Sequence, residues 1–173
     1  MKYKVALSIL LTVCLSFSCK QYDKQIQELL EKFIGTQVTI PEDLLLFNNT
    51  SRSIKKDAKY KIVFYINSLD CTLCYLNQHH STWVSLSNIF KDEDFSLFII
   101  FNSQDVYDLQ DLFETYKSNI PFFLDFYGDF ENKLPPENIL HTFLLEDNTV
   151  ILAGDPSNNP KLLRLYEQEI TKQ

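Results

Sequence analysis

Apolar residues follow two rhythms along this chain. From Tyr60 to Asn67 the segment YKIVFYIN is apolar at nearly every position, with Ile62, Val63, Phe64, Tyr65 and Ile66 in one run. That is the pattern of a strand buried on both faces. Phe95 to Phe101, FSLFIIF, repeats it. Between the two, Leu73, Leu76, Trp83, Val84 and Phe90 recur at helical spacing and predict a helix of about five turns. Ser103 is placed to cap a further helix with the face Val106, Leu109, Leu112, Phe113 and Tyr116, which Asn119 and Pro121 end. Phe122 to Leu124 follows as a short strand, then an irregular stretch through Gly128 and Pro135-Pro136. Thr142 to Leu145 and Val150 to Ala153 flank Glu146-Asp147-Asn148-Thr149 as a hairpin, and Lys161 to Ile170 closes the chain as a helix carrying Leu162, Leu165, Tyr166 and Ile170. Ahead of this core, Tyr22, Ile26, Leu29, Leu30 and Phe33 predict an amphipathic helix stopped by Gly35. Val38 to Ile40 and Leu44 to Phe47 predict short strands split by Pro41, before a polar loop from Asn48 to Ala58. The order from Tyr60 is β-α-β-α-β-β-β-α, an α/β domain with a central mixed sheet, helices on both of its faces and its last strands antiparallel.

The N-terminus changes the picture of where this domain works. Met1 to Ser18 begins with Lys2 and Lys4, runs apolar from Val5 to Val13 and ends in small residues around Phe17. That is the layout of a bacterial secretory signal, and it is shorter than the roughly 20 apolar residues that span a bilayer. Leu15-Ser16-Phe17-Ser18-Cys19 resembles the looser lipoboxes of Bacteroidetes lipoproteins, which implies cleavage after Ser18 and a lipid on Cys19. The expected organisation is therefore a signal peptide over 1–18 and a single domain over 19–173 in the cell envelope, facing the periplasm or the cell surface. The 155 residues left after cleavage suffice for one domain burying roughly 70% of its unfolded surface. Loss of the two signal lysines takes the net charge from −7 to −9, an acidic balance that argues against a nucleic-acid groove.

Cysteine arithmetic then narrows the chemistry. Of the four cysteines, Cys14 leaves with the signal and Cys19 takes the lipid, so Cys71 and Cys74 remain, in a compartment where disulfides persist. Both fall where the first buried strand gives way to a helix. There, free backbone N–H groups and the positive end of the helix dipole stabilise a thiolate. Cys71 is the candidate nucleophile, and Cys74, one turn on, is within reach to form a disulfide with it and to resolve a mixed one. The residues leave three readings open: a redox centre, a structural disulfide or part of a metal site. For zinc, His79 and His80 are poorly placed, since on one helix they project roughly 100° apart and lie about 7 to 9 Å along the axis from Cys74. Both are expected as partly exposed residues of an amphipathic helix, and Trp83 as core. Gly-rich phosphate loops, paired-carboxylate motifs and nucleophilic-serine motifs are not visible.

In three places the chain resembles the thioredoxin-like superfamily, in particular the envelope-tethered thiol-disulfide branch found in Bacteroidetes. The first is the strand running into Asp70-Cys71-Thr72-Leu73-Cys74 and a helix. The second is Pro121-Phe122-Phe123-Leu124-Asp125, and the third is Thr142-Phe143-Leu144-Leu145-Glu146-Asp147 before a hairpin. The resemblance covers about Val38 to Ile170. It implies a thioredoxin-like fold, no bound organic cofactor and no metal, and partners that are envelope-protein disulfides or dithiols. It also singles out three positions as modulators. Asp70 stands where the family carries an aromatic residue, Tyr65 where thioredoxins carry a buried acid, and His141 beside Leu140, where the family places a cis-proline. A peroxiredoxin would need a proline seven positions and a threonine three positions before the cysteine, where this chain has Phe64 and Ser68; its only arginines are Arg52 and Arg164. The competing expectation is a thioredoxin-fold binding module whose disulfide is structural.

Acylation of Cys19 has a direct test. Cys19→Ala is expected to move the protein from the detergent to the aqueous phase in Triton X-114 partition. Unchanged partition, with no lipid mass on the mature N-terminus, would contradict it.

Overall fold

A strand without polar positions must find neighbours on both edges and cover on both faces, and the computed structural model shows how this chain supplies them. The structure describes residues 28, 31–46, 55–67, 72–102, 120–134 and 142–172, without the side chains of 72, 73 and 158. The chain divides into two units, 1–33 and 34–173. In the first, residues 28 and 31–33 are helical, in line with the predicted first helix.

The second unit is built on a six-stranded sheet of order β1-β4-β3-β2-β5-β6. Its strands are β1 (Leu45–Leu46), β2 (Tyr60–Ile66), β3 (Phe95–Phe101), β4 (Phe122–Leu124), β5 (Thr142–Glu146) and β6 (Thr149–Ala153). β2 pairs in parallel with β3 over its whole length, from Tyr60 opposite Phe95 to Ile66 opposite Phe101, and β3 pairs in parallel with β4. β5 lies antiparallel on the other edge of β2, β6 antiparallel to β5, and β1 closes the far edge antiparallel to β4. All seven residues of β2 are buried. The sheet is mixed and α/β, as the element order implies.

Two helices among the described residues, α1 (Thr72–Ile89) and α2 (Pro160–Ile170), cover one face. On that face Tyr60, Ile62, Phe64 and Ile66 of β2 join Leu97, Ile99, Phe101, Phe122, Leu124 and Leu144, and meet Leu76, Trp83, Leu86 and Phe90 of α1 with Tyr166 and Ile170 of α2. Trp83 stands edge-on to Phe64 at 5.5 Å and to Phe122 at 6.1 Å, so the expected core tryptophan is the hinge of this layer. Because side chains alternate along a strand, Val63, Tyr65, Phe98, Ile100, Phe123 and Phe143 fill the opposite face, all buried. There Phe130 packs on Tyr65 at 5.6 Å. The predicted helix from Ser103 lies outside the described residues.

The hairpin closes as expected: Asp147 (φ 47) and Asn148 (φ 68) both adopt the left-handed region, the requirement of a primed two-residue turn. The Asn148 side chain accepts from Lys61 Nζ at 3.2 Å, giving a partner to a lysine that is buried in β2 and whose pKa burial lowers. α2 begins with Pro160 behind Asn159, whose side chain accepts from Lys161 N and Leu162 N at 3.2 Å each. One expectation is corrected. Val38 to Ile40 is not a strand; the segment touches the sheet through a single bridge, Gln37 to Thr149, with backbone bonds from Gly35 to Val38 onto 148–150. Pro41 has no N–H to carry the ladder on. The strand expected over 44–47 is Leu45–Leu46, both exposed.

Phe64→Ala removes a fully buried ring from the centre of the helix-covered face. It is expected to cost about 3 to 5 kcal/mol in a urea denaturation curve, with the midpoint shifted at nearly constant slope.

Candidate functional site

β2, β3 and β4 all run the same way, so their carboxyl ends share one edge of the sheet, and α1 starts from that edge five residues after Asn67. Cys74 lies in the first turn of α1, exposed and engaged in a disulfide. Cys71, Asp70, His141 and Cys19 fall outside the described residues. Tyr65, in the position where thioredoxins carry an acid, is buried with its hydroxyl directed at one: Tyr65 Oη donates to Asp125 Oδ2 at 3.3 Å.

Asp125 follows β4 and is itself buried. Besides Tyr65, its Oδ2 accepts from Phe130 N at 3.1 Å and Glu131 N at 3.2 Å. These donors come from the short 3-10 turn Glu131–Lys133 and the residue before it. Glu131 in turn spans two strand ends. Asn67 Nδ2, after β2, donates to Oε1 at 2.5 Å, and Asn102 Nδ2, after β3, donates to Oε2 at 2.6 Å. Burial first, then the charges of Asp125 and Glu131, push the Tyr65 phenol far above its ordinary pKa of 10.0, so it remains a donor. Asp125 belonged to a recognised motif, and a lone acid after an apolar FFL was its signal; Asn67, Asn102 and Glu131 had none.

A second polar feature lies farther along α1. His79, expected to be partly exposed, is 3% exposed. The correction has a simple cause: His79 sits four residues from both Tyr75 and Trp83, so it shares the face that Trp83 takes into the core. Its ring stacks on Tyr75 at 4.2 Å and on Trp83 at 6.2 Å. Nδ1 lies 3.2 Å from Asp155 Oδ2 without the alignment of a hydrogen bond. Asp155 is otherwise occupied, accepting from Ser157 N at 2.7 Å beside Gly154, whose carbonyl accepts from Tyr166 Oη at 2.9 Å. Burial lowers the His79 pKa from its ordinary 6.5, and Asp155 only partly opposes this. Burial also lowers that of half-buried His80. Among the described residues no group of three or more His, Cys, Asp or Glu side chains could hold a metal ion. No described helix is long and apolar enough to cross a membrane.

No protein-family model and no curated protein matches the chain in sequence. Solved structures do match in shape. The thioredoxin domain of a thiol-disulfide oxidoreductase from Bacteroides vulgatus superposes with a TM-score of 0.52 at 17% identity, over 66% of this chain and 81% of that one. A domain of a possible thiol-disulfide isomerase from Cytophaga hutchinsonii does so with a TM-score of 0.57 at 16% identity, over 81% of this chain and 97% of that one. The fold is thioredoxin-like. Cys74 lies where β2 gives way to α1, at the carboxyl edge of the parallel strands. The polar network on Asp125 and Glu131 lies at the same edge of the sheet.

The lowered pKa of His79 gives a signed pH dependence. Between its ordinary value of 6.5 and the lower folded value, the unfolded chain binds more protons, so stability is present in full above about pH 6.5 and is lost as pH falls below it. Melting temperature is expected to drop from pH 7.5 to pH 5. In His79→Phe that drop should be smaller, because the new side chain does not titrate.

Proposed function

We propose that this protein is a membrane-tethered thioredoxin-like oxidoreductase that exchanges or reduces disulfides of envelope proteins through Cys71 and Cys74. The observation that carries the reading is the exposed, disulfide-bonded Cys74 in the first turn of the helix that follows the central strand of a thioredoxin-like sheet. A staple is usually buried, whereas an accessible pair at a helix start is reactive. Neighbours in fold whose names include thiol-disulfide oxidoreductase support the same chemistry.

In this reading the partner of Cys74 is Cys71, one helical turn away. In the reduced protein, the Cys71 thiolate attacks one sulfur of a partner disulfide, forming a mixed disulfide and releasing the partner's other sulfur as a thiolate that takes up a proton. Cys74, deprotonated, then attacks the Cys71 sulfur, closes the Cys71–Cys74 disulfide and releases the second partner thiol. Two electrons pass to the partner, and a dithiol donor resets the centre. Asp70, next to Cys71 in sequence, raises the nucleophile's pKa, and His141, next to the family's cis-proline position, is the other candidate modulator. A lipid on Cys19 holds the domain at the membrane that carries its substrates.

The two cysteines are expected to behave asymmetrically. Cys74→Ser, which keeps the attacker and lacks the resolver, should accumulate mixed disulfides with envelope proteins on non-reducing gels after acid trapping. Cys71→Ser should not. A structural disulfide would instead destabilise both variants alike, by roughly 2 to 5 kcal/mol. Adduct-free lanes from two folded variants would establish the binding-module alternative.

A further inference from the structure

His79 Nδ1, Trp83 Nε1, Thr142 Oγ1 and Ser157 Oγ are buried and have no hydrogen-bond partner in the protein. The residues that carry them lie on one closed circuit of contacts. His79 Nδ1 is 3.2 Å from Asp155 Oδ2, and Asp155 Oδ1 accepts from Ser157 N at 2.7 Å. Next in the chain to Asp155, Gly154 N donates to the Thr142 carbonyl at 2.8 Å. Thr142 pairs with Phe64 across the β2–β5 ladder, Phe64 meets Trp83 at 5.5 Å, and Trp83 stacks on His79 at 6.2 Å. The circuit is then complete. Because side chains alternate along a strand, Thr142 shares a face with Leu144, which belongs to the core that α1 and α2 cover. His79, Trp83 and Thr142 are only 3%, 0% and 1% exposed, so bulk solvent does not meet their polar atoms.

These groups do not satisfy one another, but together they suit a third body. Trp83 Nε1 can only donate, and the Thr142 and Ser157 hydroxyls each have a proton to give. Asp155 Oδ2 accepts, and a neutral His79 protonated at Nε2 presents a lone pair at Nδ1. Two acceptors 3.2 Å apart cannot bond to each other. A water molecule can donate one hydrogen to each and accept from the indole or a hydroxyl. We propose that this circuit is a hydration site, in which buried water joins His79 and Trp83 of α1 to Thr142 of β5 and to the 154–157 loop. A buried water makes about three hydrogen bonds, so about two molecules satisfy the orphaned atoms and Asp155 Oδ2. Water thereby carries the polar contact between α1 and the loop, which His79 and Asp155 approach without making. A dry circuit would instead gather several unmet polar groups in one place, against the general pairing of buried polar atoms. The site stands independently of the thiol-exchange reading.

Trp83 is the only tryptophan of the chain, so its indole N–H gives a single, assignable NMR signal. In the isotope-labelled, detergent-solubilised protein, water-selected NOE and ROE spectra are expected to show a cross-peak from water to that proton. Its sign should be opposite in the two spectra, the mark of water that tumbles with the protein. Thr142→Val supplies a second test, because it keeps the shape of the side chain and removes the hydroxyl. In a hydrated site this breaks a bond, and the folding equilibrium constant from urea denaturation is expected to fall about two- to tenfold. In a dry site it relieves an unmet hydroxyl, and the constant would hold or rise. The cross-peak is expected to persist in Thr142→Val, where that hydroxyl can no longer relay magnetisation by exchange with solvent. If Thr142→Val does not fold, Ser157→Ala carries both expectations. Absence of the cross-peak in the wild type would overturn the proposal. So would its loss in the folded variant, or a folded variant at least as stable as the wild type.

Discussion

Seven consecutive buried residues make β2 the constraint on which the rest of the domain rests. Its backbone groups can be satisfied only by a strand on each side, and its two rows of side chains only by a layer on each face. β3 and β5 meet the first demand, one parallel and one antiparallel. α1 and α2 meet half of the second, with Trp83 wedged between Phe64 and Phe122. The parallel partner forces a crossover, and α1 is that crossover. Cys74 therefore reaches the carboxyl edge of the sheet as a consequence of how β2 is buried.

The two faces of β2 carry different polar loads. On the helix-covered face the polar groups are few and lie toward the rim. Tyr166 gives its hydroxyl to the Gly154 carbonyl, and His79 approaches Asp155. On the opposite face, polar residues sit at both ends of the strand. Lys61 reaches the Asn148 turn at one end, and Tyr65 and Asn67 enter the carboxylate knot at the other. Charge is thus kept out of the middle of the sheet and concentrated where the chain leaves it. At the carboxyl edge, Asp125 and Glu131 are each held by neutral donors from the ends of the parallel strands and the turn after β4.

The carboxyl edge of the sheet keeps a buried acid, although not on β2. Tyr65 replaces a carboxylate on β2, and its hydroxyl meets one supplied by β4. The acid has moved one layer of sequence away while remaining in the same network. His79 gives α1 a separate sensitivity, because it joins the helix to the 154–157 loop through a buried, neutral imidazole.

The central strands, the hairpin turn and the helices α1 and α2 were legible in the sequence, because burial periodicity and turn chemistry are local properties. YKIVFYI has to be a buried strand, and Asp147-Asn148 can adopt the left-handed turn that joins β5 to β6. The candidate cysteine was legible for the same reason, since its position relative to strand and helix is set within a dozen residues. What the local pattern did not contain was the company each side chain keeps. His79 looked like a surface residue until its spacing from Trp83 was combined with the burial of that ring. Glu131 reaches Asn67 across 64 positions and Asn102 across 29, contacts that exist only because three strands end at one edge. Sequence determined which segments had to be buried and where Cys74 falls relative to strand and helix. The tertiary structure decided which charges surround that edge, because hydrogen bonds and fields act across space and are indifferent to separation along the chain.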